Sequence, residues 1–145
     1  MIAGWEIPLE CGLGALALSA FLSSTLLPGS SEVVLVVLAR QGSWHPQVLL
    51  WTAALANTLG ALTTCGIGRL AAAGSRGTAR ISPNAQALVR LRRWGYPVLL
   101  LSWMPVIGDA LCLAAGWLRL RWLYVAVLLW AGKFIRYGVL LWLLQ

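Results

Sequence analysis

The stretch Ser102-Trp103-Met104-Pro105-Val106-Ile107-Gly108-Asp109-Ala110-Leu111-Cys112-Leu113-Ala114-Ala115-Gly116 sets one carboxylate, four residues after a proline, inside a long apolar run. A charged side chain in hydrocarbon costs at least about 2.5 kcal/mol, so it persists there when it is paired or used. Proline removes a backbone donor and breaks the helix just ahead of the acid, as interrupted membrane helices require. The same arrangement occurs earlier as Pro28-Gly29-Ser30-Ser31-Glu32. Two proline–acid sites of equal spacing in one short chain read as an internal repeat.

Around these two sites the chain has the composition of an all-α integral membrane protein. Apolar residues make up 60% of its 145 positions and charged ones only 10%, and apolar runs near the spanning length of about 20 residues recur. The whole of 1–145 reads as one membrane domain with no room for an appended soluble module. A net charge of +7 raises the question of nucleic acid. The arginines, however, sit in short loops beside apolar segments, which is the positive-inside pattern and excludes a nucleic-acid groove. Cys11, Cys65 and Cys112 lack CxxC spacing and are expected to be small buried hydrophobes in unrelated settings. His45 stands alone, so it reads as an interfacial polar residue and not as a metal ligand or proton relay. No metal and no cofactor are expected. Glu6 and Glu10 precede the first apolar run where a signal peptide would carry basic residues, so none is expected.

Taken in order, Gly12 to Leu27 is apolar and stops at Pro28-Gly29, the first helix-breaking tip. Glu32 opens a second arm, Val33 to Ala39, too short to span alone. Ser43-Trp44-His45-Pro46 is an interface turn. Gln47 to Gly68 is a full span, whose Asn57-Thr58, Gly60 and Thr63-Thr64 suit close packing and bonding across helices. Arg69 to Arg93 holds six arginines and no acid. Its first half, from Ala71, reads as a flexible loop. Ser82-Pro83 then opens a short interfacial helix, Asn84–Trp94, with leucines on one side and Arg90, Arg92 and Arg93 on the other. Tyr96 to Gly116 follows, broken at the second tip by Pro105 and Gly108. Arg119 and Arg121 mark another interface, and Leu123 to Leu144 is the last span.

Each half thus reads as an interrupted segment, a Trp-bearing turn and an uninterrupted span: 12–68, then the loop and interfacial helix of 69–94, then 95–144. If the interrupted segments are hairpins that dip in and return, each half crosses once and the halves are inverted, a common transporter plan. Arginine placement separates this from four plain spans. Hairpins put eight arginines on one side and only Arg40 on the other, whereas four spans give six against three. The hairpin arrangement obeys the positive-inside rule better and makes 69–93 cytoplasmic, with both termini outside. A plain span across Tyr96–Gly116 remains the alternative, since 21 residues suffice for it.

Glu32, Asp109, Lys133 and Arg136 are the charges inside the apolar zone. Lys133 and Arg136 share a helix face, and each acid falls in the first turn after its proline, where the helix terminus is partly positive. Two buried ion pairs that fix the packing are the plain reading, but such pairs often cost more than they return. Four such groups in a chain so poor in charge favour binding. Arginine offers a two-pronged donor to phosphate and lysine a second cation. Low dielectric disfavours the charged carboxylate unless it is paired, so Glu32 and Asp109 are candidates for proton exchange. No nucleophile–base pair, metal cluster or phosphate loop occurs, so an enzyme is not expected.

Leu27-Pro28-Gly29-Ser30-Ser31-Glu32-Val33-Val34-Leu35, Ser102 to Asp109, Ala115-Gly116-Trp117 and Gly132-Lys133-Phe134-Ile135-Arg136-Tyr137 resemble the YqaA branch of the DedA superfamily, bacterial inner-membrane relatives of the VTT (SNARE-associated) proteins. The resemblance runs from about Phe21 to Tyr137. It implies two facing re-entrant hairpins and translocation of a phospholipid or of a polyprenyl-phosphate carrier, often coupled to protons. One departure stands out. The superfamily carries arginines three residues either side of the second hairpin's proline, and here those positions are Ser102 and Gly108. Lys133 and Arg136 are the candidate replacements, and the same lipid substrate is not implied. The expected function is therefore a small inner-membrane translocase whose partners are membrane lipids or a lipid-phosphate carrier, with protons as candidate co-substrates and self-association left open. The competing class is a non-transporting accessory protein of the envelope.

Overall fold

The computed structural model describes residues 9–24, 29–74, 85–104 and 107–144. Pro28, Pro105 and Ser82-Pro83 lie outside them. All regular structure in the described residues is helical: α1 (Leu9–Ser23), α2 (Ser30–Gln41), α3 (Pro46–Gly74), α4 (Ala85–Trp94), a 3-10 helix (Tyr96–Trp103), α5 (Ile107–Trp117) and α6 (Trp122–Leu143). Length sorts them into two kinds. At about 1.5 Å per residue, the 29 residues of α3 and 22 of α6 reach roughly 44 and 33 Å, beyond the ~30 Å hydrocarbon thickness. Both are also apolar enough to cross a bilayer. The 15, 12 and 11 residues of α1, α2 and α5 reach only about 16–23 Å.

The outward faces of the long helices are apolar. Trp51, Leu55 and Leu59 on α3 recur every fourth residue, and Leu123, Val127, Ile135 and Val139 line α6 in the same way. In water such continuous stripes would aggregate; in hydrocarbon they cost nothing. Inside lie two apolar clusters, one around Leu16, Leu35, Leu49 and Tyr137, the other around Cys65, Leu99, Leu111 and Leu129.

Contacts fix how the short helices run against the long ones. A side chain at Gly12 would meet Leu38 and the Trp44 indole, so α1 begins beside the α2–α3 turn. At its far end Ser23 bonds to Ser31 and to Asn57, midway along α3. From there α2 returns to the turn it shares with α3. Gly29 and Gly42 flank α2 with φ of 95° and 67°, left-handed conformations that favour glycine. The turn ends at His45, whose Nδ1 accepts from the Gln47 amide at 3.4 Å and whose carbonyl receives Val48 and Leu49. The lone histidine therefore acts as the cap of α3.

A second set of contacts lies at the other end of α3. The Arg121 amide donates to the Tyr96 hydroxyl at 3.3 Å, and Arg69 donates to the Leu120 carbonyl. The start of the 3-10 helix and the 118–121 turn are thus neighbours. α5 lies tightly against the second half of α3: side chains at Gly68 and Gly116 would strike the backbones of Leu113 and Cys65. α6 then runs the length of the bundle, until Leu141 and Trp142 border the same cavity as Pro46 and Gln47.

Two readings of the sequence need correction. The segment from Ala71 is not a loop from its start, because α3 continues to Gly74; three consecutive alanines carry the helix past the polar boundary. The cysteines are not all buried or unrelated. Cys11 is exposed, while Cys65 and Cys112 share one buried cluster, brought together by the α3–α5 contact. The arm before the second tip is a 3-10 helix with Pro97 in its first turn and Gly95, at a φ of 70°, before it.

Candidate functional site

Between the two apolar clusters α6 delivers Lys133 and Arg136. Lys133 is 5% exposed, and its ammonium donates to the Asn57 side-chain oxygen. The Asn57 amide nitrogen donates in turn to the Tyr137 hydroxyl at 2.5 Å and to Ser23 Oγ at 3.2 Å. Ser31 Oγ stands 2.8 Å from the Tyr137 hydroxyl and 3.1 Å from Ser23 Oγ. The network joins α1, α2, α3 and α6, and it uses both ends of the asparagine. In low dielectric such a connected set is worth more than its separate bonds, and an unpaired member costs correspondingly more.

Arg136 lies one turn further along the same side of α6, with its guanidinium turned to different partners. Its Nε donates to Glu32 Oε1 at 2.7 Å, Nη2 pairs with the same oxygen, and Nη1 donates to the Trp103 carbonyl at 3.0 Å. One side chain therefore ties the first turn of α2 to the end of the 3-10 helix. The pair is half-buried, with Arg136 19% and Glu32 36% exposed. Because both prongs meet Oε1, Glu32 Oε2 has no partner among the described residues. The carboxylate also lies in the first turn of α2, where free amides add positive potential.

Asp109 occupies the matching place in the first turn of α5. Among the described residues its carboxylate makes no ion pair or hydrogen bond; Lys133 and Arg136 are the cations close enough to act on it. The four sequence-selected charges therefore converge without forming two pairs. Glu32 and Arg136 form the one ion pair among the described residues, and Lys133 bonds to an amide. Ser102 and Gly108, where the superfamily pattern has arginines, pack against each other instead. A side chain at Gly108 would run into the Ser102 carbonyl, and the buried Ser102 hydroxyl has no partner among the described residues. The cation at this break comes from α6, through Arg136 on the Trp103 carbonyl.

The exposed side of Arg136 forms part of a surface groove. Leu100, Trp103, Gly132, Ile135 and Val139 surround it in a cavity of about 450 Å³, and an adjoining hollow of about 270 Å³ continues past Glu32 to Leu140 and Leu143. Two half-satisfied charges thus lie in an otherwise apolar trough on the outer face of a spanning helix.

The chain is 50% identical over 125 residues to inner membrane protein YqaA of Escherichia coli strain K12, a match covering 86% of this chain and 85% of that protein. It belongs to the YqaA family. The YqaA protein of Shigella flexneri matches to the same extent. An uncharacterized protein of Haemophilus influenzae is 44% identical over 137 residues, 87% of this chain and 83% of that one. No protein-family model and no solved structure matches. Membership of the YqaA family, with the two long apolar helices, makes this a bacterial inner-membrane protein. Its proline–acid motifs belong to the YqaA branch of the DedA superfamily that they resemble.

Asn57, Tyr137, Ser23 and Ser31 were missed as members of the site. One signal was available for Asn57. A lysine in the middle of an apolar span needs an acceptor, and an asparagine in the other full span is a natural one. Nothing comparable marked the two serines, because their positions depend on how α1 and α2 fold back.

Proposed function

We propose that this YqaA protein is a small translocase for an anionic lipid, a phospholipid or a polyprenyl-phosphate carrier, built as two inverted re-entrant hairpins each followed by a span. One observation carries the reading. Arg136 sits in the apolar trough where the first turn of α2 meets the end of the 3-10 helix, half-satisfied by Glu32 and with further donor capacity. A phosphate there gains a two-pronged, charge-assisted contact, while its hydrocarbon lies along Trp103, Ile135 and Val139. The inverted plan is supported by the paths of the short helices, which start at opposite ends and turn back near Asn57 and Arg136. It is also supported by the gathering of Arg69, Arg119 and Arg121 at one end, which reads as cytoplasmic.

Coupling to protons belongs to the same reading. When phosphate displaces Glu32 from Arg136, the freed carboxylate in low dielectric takes up a proton, and release of the lipid returns it. Asp109, without an ion pair among the described residues, is the matching carrier on the other side. The protein performs this without covalent chemistry, so no enzyme activity is proposed. An accessory, non-transporting role has one observation in its favour: the Lys133–Asn57–Tyr137 network is internally satisfied, as a purely structural element would be.

The test is reconstitution in proteoliposomes with fluorescent phospholipid and polyprenyl-phosphate probes under an imposed pH gradient. The parent moves at least one probe. Glu32→Gln, Asp109→Asn and Arg136→Lys accumulate in the membrane but fail to move it, and the acid variants lose the dependence on the gradient. Folded variants that move lipid like the parent, or a parent inert toward both probes, remove the translocase reading in favour of the accessory one.

A further inference from the structure

The end of the bundle that gathers the arginines carries a second cavity, separate from the Arg136 trough. α4 packs Ala87 and Leu91 inward, 6% and 3% exposed, yet leaves Val89 and Trp94 62% and 66% exposed. Arg90, Arg92 and Arg93 lie exposed among them. A helix on the surface of a water-soluble protein buries one apolar face; α4 buries one and presents another. Apolar side chains exposed beside three arginines are what an interfacial helix on an anionic leaflet needs. Among the described residues these arginines make no ion pair. The chain has only four acids. Glu32 is held by Arg136, Asp109 lies in the first turn of α5, Glu10 stands in the first turn of α1 at the opposite end, and Glu6 lies outside the described residues. Among the described residues no carboxylate reaches α4.

Between α4 and the 3-10 helix lies a cavity of about 420 Å³ lined by Arg90, Trp94, Pro97, Val98 and Leu101. Its one cation is Arg90, and everything below it is apolar. The neighbouring Arg93 guanidinium stands 5.8 Å from the centre of the Trp94 ring, at the upper limit of a cation–π contact, which leaves Arg90 as the side chain over the cavity.

From this we infer that the α4 elbow is a binding site for one anionic phospholipid of the phosphatidylglycerol class, its phosphodiester on Arg90 and an acyl chain in the cavity beneath. Charge decides the occupant. The planar guanidinium matches the phosphodiester, and a zwitterionic headgroup would bring an ammonium against Arg92 and Arg93. The site needs no translocation: it holds a lipid at the cytoplasmic end whether or not the Arg136 trough moves one.

The full-length protein in mild detergent is titrated with phosphatidylglycerol and, separately, with phosphatidylcholine, and retained lipid is counted by native mass spectrometry. Phosphatidylglycerol binds at least tenfold more tightly. Arg90→Gln weakens it about fivefold or more, the factor one arginine contributes near an anionic surface. Arg90→Lys loses less, and Arg40→Gln, at the other end of the bundle, changes nothing. Inorganic phosphate does not displace the lipid, because the chain contributes to binding. Equal binding of the two lipids, full affinity in Arg90→Gln, or an equal loss in Arg40→Gln overturns the site. Melting temperatures in lipid-free detergent control for folding. If Arg90→Gln melts lower than the parent, Leu101→Gln, exposed at the cavity wall, takes its place with the same expected loss, and full affinity in it overturns the site equally.

Discussion

Replacing Asn57 by leucine keeps the volume of the side chain while removing the acceptor of Lys133 and the donor to Tyr137 and Ser23. Tyr137 still has Ser31, and Ser23 still has the Ala20 carbonyl at 3.0 Å, so the cost falls mainly on the lysine. A hydrogen bond to a charged group contributes about 1.5–3 kcal/mol. Neutral bonds between membrane helices average only about 0.6 kcal/mol. Asn57→Leu should therefore cost about 2–3 kcal/mol, a factor of roughly 30 to 150 in the unfolding equilibrium. Lys133→Leu alone removes the buried amine and leaves only the Asn57 oxygen unmatched, about 1 kcal/mol. The double variant has neither stranded group and should lie within about 1 kcal/mol of the parent, well below the sum of the single variants. Reversible unfolding in mixed micelles of dodecyl sulfate and dodecyl maltoside, followed by circular dichroism, measures all three. Simple additivity, or an Asn57→Leu cost under about 0.5 kcal/mol, would refute the Lys133–Asn57 bond as a link between α3 and α6. Lipid movement by the double variant then tells whether Lys133 has any use beyond this link.

Close helix contact gives the next expectation. Gly116→Ala, whose added carbon meets the Cys65 backbone, should cost more than the 1–3 kcal/mol of ordinary overpacking, seen as poor accumulation or a lowered melting temperature. Gly138→Ala, with open space around it, should gain up to about 1 kcal/mol from helix propensity. Glu32→Gln leaves Arg136 a neutral acceptor but strands its charge in low dielectric, and should cost no more than the roughly 3–5 kcal/mol of a broken buried pair; a full loss of lipid movement in it reads as function when the variant accumulates and melts near the parent. Impermeant maleimide applied to intact cells should label Ser43→Cys, and not Arg119→Cys, in a background free of native cysteines; outside labelling of position 119 restores four plain spans.

Much of the fold was legible because hydrocarbon imposes simple rules. Two long apolar segments carry membrane class and the two long apolar helices, since both follow from local composition and length; the proline breaks lie outside the described residues, and the arginine-based topology is an expectation for the labelling experiment to decide. His45 illustrates the limit: its isolation ruled out a metal cluster, but its role as the cap of α3 depends on the turn geometry. The ends of elements were less legible where propensity and polarity disagree, as at Ala71–Gly74.

The four central charges were found from sequence because an ionisable residue in an apolar run is conspicuous wherever the chain goes. Their pairing was not. Lys133 and Arg136 are three residues apart, and the sequence treats them alike. Tertiary structure sends one inward to Asn57 and the other outward to Glu32 and Trp103, because α2 and the 3-10 helix approach α6 on one side and α3 on another. Ser23, Ser31 and Tyr137 join the network for the same reason: contacts between residues up to 106 positions apart depend on how helices cross, and periodicity along one helix carries no information about its neighbour. By itself the sequence determined which residues the membrane makes costly; only the packing of α1, α2, α3 and α6 decided how each of them is satisfied.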